Sequence, residues 1–161
     1  MTAEDARMLA VRAELERDWR MVRAHLQRAR SVAPSAGPPE ASHVALSLDH
    51  AYQAFESLLV RLELALGLPR RAGSDWHAAI LRAAVEAIPG LRAAIVPRDA
   101  LTEWEALLSF RHFLRHAYTI DLDPAKLAQN VTRLEAAVAT TETPLQGLFA
   151  ALMSGVGAAA D

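Results

Sequence analysis

Apolar side chains recur at helical spacing along most of this chain. Met8, Val11, Leu15, Trp19, Val22 and Leu26 follow one another at intervals of three and four. That period draws one stripe down an amphipathic helix. Thr2 and Asp5 form a capping-box pair at its start, and Pro34-Ser35-Ala36-Gly37-Pro38-Pro39 cannot continue it beyond about Ala33. A second stripe, Leu48, Tyr52, Phe55, Leu59, Leu62 and Leu66, predicts a helix from about Ser42 to Leu66. Ser74-Asp75 caps a third, carrying Trp76, Ile80, Leu81, Ala84, Val85 and Ile88, which Pro89-Gly90 stops.

A fourth helix starts near Asp99 and ends between Tyr118 and Asp121. Its apolar positions, Leu101, Trp104, Leu107, Leu108, Phe110, Phe113 and Leu114, exceed one stripe, as expected of a central helix touched on several sides. Asp123-Pro124 opens a fifth with Leu127, Val131, Leu134 and Val138. Thr140-Thr141-Glu142-Thr143-Pro144 is expected to interrupt it, leaving a short last helix over Leu145, Leu148, Phe149, Leu152 and Met153 and a frayed tail from Gly155.

No strand-like alternation and no glycine-rich phosphate loop occurs in the sequence. The expected fold class is therefore all-α: an antiparallel up-and-down bundle of about four or five helices with a long helix added at the N-terminus. The expected division is an amphipathic helix over 1–33, a proline-rich linker over 34–41 and the bundle over 42–154.

Composition narrows the chemistry. The 161 residues are 52% hydrophobic, enough for one domain with a real core. The formal charge is -2, so any nucleic-acid contact must come from a local patch. Lys126 is the only lysine among 17 basic residues. A GC-rich genome explains that bias most simply, although arginine also grips phosphate bidentately. Absent cysteine rules out disulfides and thiolate catalysis. No apolar run is long enough for a membrane span, and Met1-Thr2-Ala3-Glu4-Asp5 is not a signal peptide, so a cytoplasmic, bacterial protein is expected.

The densest chemistry is Phe110-Arg111-His112-Phe113-Leu114-Arg115-His116-Ala117-Tyr118, with two arginines, two histidines and a tyrosine at the end of an otherwise apolar helix. RNA cleavage needs a base for a 2′-hydroxyl, a cation for the phosphate and an acid for the leaving oxygen. Histidine fits either proton-transfer role, and arginine fits the phosphate. Arg111 and His116 supply both without a metal. On a straight helix Arg111 and Tyr118 lie only about 20° apart, whereas Arg111 and His116 lie about 140° apart. Either the helix breaks between them or two chains pool their residues across a two-fold interface. The surplus apolar surface of the helix favours a homodimer. His112 and His116 share a face and could ligate a metal, but no further ligand accompanies them. All five side chains could also simply solvate a helix end.

The triplet Arg111, His116 and Tyr118 has the form Arg-x4-His-x-Tyr and resembles the HEPN superfamily, specifically its HepT-like ribonuclease toxins. Ala51-Tyr52 to Glu63, Ser74-Asp75-Trp76-His77 and Leu122-Asp123 resemble the same family, over about Val44 to Val138. The resemblance implies a metal-independent endoribonuclease toxin without cofactor, acting on RNA as a dimer with Arg111, His116 and Tyr118 as the catalytic set. It also implies a toxin–antitoxin pairing with a nucleotidyltransferase-like (MNT) antitoxin that modifies Tyr118 with AMP. Glu56 is the accessory acidic residue of the second helix by the same resemblance, and Arg115 an RNA-phosphate contact. Read without the family, Glu56 and Glu63 form a solvated flank, and His77 is a packed or surface histidine with no partner. The alternatives are a non-catalytic HEPN-type subunit that binds a nucleotidyltransferase, and a plain helical scaffold.

Overall fold

In the computed structural model, which describes residues 1–117 and 121–157, five helices follow in order: α1 (Ala3–Arg30), α2 (Pro38–Ala65), α3 (Trp76–Ala83), α4 (Arg98–His116) and α5 (Pro124–Gly157). Among the described residues there is no strand, only one isolated antiparallel bridge between Ile88 and Arg92. None of these helices is long and apolar enough to cross a membrane.

The Thr2 capping box forms, with both reciprocal bonds made. The proline-rich connection is shorter than its composition suggests. A single 3-10 turn, Pro34–Ala36, is followed at once by α2, with Pro38 in its first turn. Proline suits that position because the first helical N–H groups have no intrahelical partner. Such a short turn folds α2 back on α1, and the contacts track an antiparallel pair. Arg28 faces His43, His25 faces His50, and Arg61 meets Asp18.

The α1 stripe is thus core rather than a loosely docked addition: Leu15, Trp19, Val22 and Leu26 are buried with α2 and α5. Trp19 sits tilted against Phe55 and donates its indole N–H to Glu142 on α5 at 2.7 Å. The same Phe55 ring stacks on Trp104 of α4 at 3.9 Å, and Trp104 donates to Thr141 of α5. Aromatic side chains in the middle of three helices therefore tie four helices together.

Gly67 ends α2 with φ +74. Leu68 N–H donates to Glu63 C=O and Gly67 N–H to Leu64 C=O, the paired bonds of a Schellman cap. Helix α3 stops at Ala83, before Val85 and Ile88, which the sequence pattern assigned to it. The cause lies downstream. Buried Arg92 reaches back to the carbonyls of Ala83 and Glu86, and Ile95 and Val96 donate to Ala84 C=O. Those bonds satisfy the carbonyls that a longer helix would have used internally. Arg92 loses hydration there, and burial lowers its pKa.

The expected break at Pro144 does not occur, because α5 runs unbroken through it. An interior proline costs about 3 kcal/mol in an isolated helix. Burying Leu145 and Phe149, both in the core, is worth roughly 2 kcal/mol each. Packing on one continuous stripe, Ala137, Thr141, Leu145 and Phe149, therefore outweighs the local penalty.

Candidate functional site

Helix α4 delivers Arg111 inward and its histidines outward. Arg111 is buried, its side chain only 7% exposed, and donates Nε–H to Asp49 at 3.1 Å and Nη1–H to Glu56 at 3.2 Å. Both carboxylates lie on α2, one heptad apart, and so share a face. The guanidinium expected to face phosphate is engaged with protein carboxylates through Nε–H and Nη1–H, and neither bond uses Nη2.

Glu56 has a second partner. The ring of His77, at the start of α3, places Nδ1 at 2.7 Å from Glu56 Oε2. The solvated flank suggested for Glu56 and Glu63 is incorrect: both are buried, and Glu63 accepts two-pronged bonds from Arg71. A carboxylate can only accept, so Nδ1 carries the hydrogen and the neutral ring keeps its lone pair on Nε2. His77 stacks on Trp76 at 3.8 Å and meets His112 edge-on at 5.7 Å. Asp49, Glu56, Arg111, His77 and His112 thus form one connected cluster drawn from three helices.

His112 and His116 stand on the outer side of α4 and are exposed. The helix continues through both, so the break between Arg111 and His116 considered above is absent. His116 donates Nδ1–H to the His112 carbonyl at 2.7 Å, leaving Nε2 outward of that bond. Although His112 is exposed as a whole, its pKa is lowered. Partial burial is the largest cause, followed by His77, Arg111 and His116, with Glu56 acting in the opposite direction. The Tyr52 phenol, buried beside this cluster, is pushed well above its ordinary range by burial and then by the negative charge of Glu56.

Of the sequence-derived residues, Arg111 and Glu56 are brought into contact, while Arg115 and His116 lie exposed on the same helix. Tyr118 falls outside the described residues. No group of three or more His, Asp or Glu side chains suited to a metal ion occurs among the described residues. Sequence reading missed Asp49, His77 and His112 as members of the cluster. One signal was available for Asp49: it precedes Glu56 and Glu63 by successive intervals of seven, the spacing of one helix face. Nothing in the sequence paired His77 with Glu56, 21 residues away.

Another face of α4 carries exposed aromatic surface. Phe113 is 45% exposed, with Phe110 next to it at 6.4 Å. A groove of about 580 Å³ runs from Phe110 and Phe113 to Leu122, before α5, and to Lys126 and Arg133 on it.

Among known proteins, the family model described as HepT-like protein matches residues 43–152. No curated protein and no solved structure matches the chain. That match spans α2 to α5, including every described residue of the Glu56–Arg111–His116 arrangement, in an all-helical bundle. The chain belongs to the HepT-like family of the HEPN superfamily.

Proposed function

We propose that the protein is a metal-independent endoribonuclease toxin acting as a homodimer, in which each chain supplies half of the catalytic cleft. The observation that carries this reading is the continuity of α4. Arg111 points into its own bundle while His116 stands outside it on the same unbroken helix. Within one chain the two do not meet around a shared substrate, and a second copy is needed to complete the pair. Exposed Phe113 and neighbouring Phe110 give that copy an apolar face to cover.

In the completed cleft, His116 transfers protons through Nε2. Arg111 offers Nη2, the nitrogen free of the Asp49 and Glu56 bonds, to the scissile phosphate. Glu56 holds both Arg111 and His77, and Arg115 contacts flanking phosphate from its exposed position. Tyr118 completes the motif and is the modification point. AMP attached there by a nucleotidyltransferase-like (MNT) antitoxin occupies the cleft with competing phosphate. The physiological setting is a toxin–antitoxin pair in a bacterial cytoplasm.

Expression of the parent chain is expected to arrest growth, and purified protein to cut single-stranded RNA in the presence of chelator. His116→Ala should abolish both; full toxicity or cleavage in that variant overturns the assignment. One observation favours a second reading, a non-catalytic subunit that binds a nucleotidyltransferase. Arg111 is tied to two carboxylates, as a structural arginine would be. A dimer that cuts no RNA but binds the nucleotidyltransferase normally with Arg111→Ala supports that reading.

A further inference from the structure

We propose that His77 is a second proton-transfer residue of the cleft, held for that task by Glu56. This rests on the ribonuclease reading above and adds a residue to it that lies outside the Arg-x4-His-x-Tyr pattern.

Two imidazoles at this end of the bundle are prepared in the same way. His116 gives Nδ1–H to a backbone carbonyl, and His77 gives Nδ1–H to the Glu56 carboxylate. In each ring the remaining nitrogen is Nε2. An acceptor behind one ring nitrogen fixes both tautomer and orientation and raises the basicity of the other, as in carboxylate–histidine pairs generally. The Glu56–His77 pair is the better built of the two. The carboxylate is buried, the bond is 2.7 Å long, and the ring is stacked on Trp76. The His77 side chain nonetheless keeps 20% of its surface exposed.

The groups that face the His77 ring come from two helices. From α2, Glu56 faces the ring; from α4, His112 meets it edge-on, and Arg111 reaches it through the shared Glu56. Asp49 holds the far side of Arg111, and His116 follows His112 one turn on. When His77 takes up a proton, Glu56 stabilises the imidazolium directly.

In the reaction this completes, His77 Nε2 removes the proton of the 2′-hydroxyl as its oxygen bonds to phosphorus. The P–O5′ bond breaks, and protonated His116 delivers its Nε2 proton to the departing 5′-oxygen. A 2′,3′-cyclic phosphate and a 5′-hydroxyl result, with one proton gained by His77 and one lost by His116. Arg111 gains and loses nothing.

The test compares parent, His77→Asn and His116→Ala on a labelled mixed-sequence single-stranded RNA across pH. Asparagine keeps a donor near the Nδ1 position but has no Nε2. His77→Asn should cut at least about 100-fold more slowly, the usual scale of lost general base catalysis. It should also lose the acidic limb of the pH–rate profile, keep its RNA affinity, and regain part of its rate from added imidazole. Cleavage within about threefold of parent and an unchanged profile, alongside an inactive His116→Ala, overturns the role of His77 while leaving the ribonuclease reading intact. A parent that cuts no RNA removes both. If His77→Asn fails to fold, ring-nitrogen NMR of the parent decides the matter. The expected tautomer of the neutral ring is Nδ1–H with bare Nε2, with Nε2 shifting when a non-cleavable 2′-deoxy oligonucleotide binds. An Nε2–H tautomer, or a ring indifferent to the oligonucleotide, overturns the proposal.

Discussion

Glu56 is the joint of the cluster, and its removal is the sharpest test of how the cluster is held. Its side chain is 8% exposed and accepts from Arg111 at 3.2 Å and from His77 at 2.7 Å. Glu56→Ala leaves a buried guanidinium short of one carboxylate and an imidazole N–H with no acceptor. Breaking a buried ion pair from one side costs about 3–5 kcal/mol. Asp49 remains on Arg111 at 3.1 Å, which argues for the lower end, about 3 kcal/mol. For a chain of this size that is a fall in Tm of roughly 6–12 °C. Urea unfolding followed by the fluorescence of buried Trp19 and Trp104 reads it directly. The sign of the coupling is the decisive part. Glu56→Leu with Arg111→Met replaces the pair by apolar side chains, so the double variant should be more stable than Glu56→Leu alone. A Glu56→Ala cost below about 1 kcal/mol, or strictly additive single effects, refutes the account of a mutually dependent buried cluster.

Other expectations follow from the same packing. Pro144→Ala should raise stability by about 1–3 kcal/mol, since α5 is already helical there and the proline penalty is removed; a lower Tm would show that the proline shapes the helix. Removal of residues 1–33 should abolish cooperative unfolding, because Leu15, Trp19, Val22 and Leu26 belong to the shared core; a sharp transition in the truncated chain contradicts this. Acid should destabilise the fold through His25, whose pKa is lowered by burial, then by Arg28 and His50. The unfolded chain binds that proton below about pH 6.5 while the folded chain resists it, so stability declines as pH falls through that value, by at most about 1.4 kcal/mol per unit. His25→Phe should flatten that part of the slope in urea titrations, and an unchanged slope would exclude His25 as its source.

Most of the fold was legible because helical periodicity is a local property. The stripes through Leu15–Leu26 and Leu48–Leu62 are buried in α1 and α2. What escaped was set by contacts distant in sequence. Pro144 looked like a breaker because the penalty is local, while the compensation comes from Leu145 and Phe149 meeting other helices. Helix α3 ended early because Arg92, nine residues beyond Ala83, takes its carbonyl. At the site, helix arithmetic correctly separated Arg111 from His116, and the unbroken α4 removes one of the two remedies it allowed. The pairing of Glu56 with His77 joins α2 to α3 and had no signature in either segment alone.

Complementation between two inactive chains bears most directly on the claim that each protomer holds half a site. Chains carrying Arg111→Gln and His116→Ala, each inactive as a homodimer, can be co-expressed with different tags and purified as the mixed dimer. That dimer retains one Arg111 and one His116, on opposite chains. The shared-cleft account predicts that RNA cleavage returns in the mixed dimer to a substantial fraction of the parent rate. A mixed dimer that forms and folds yet stays as inactive as either homodimer, while the parent cleaves, contradicts it.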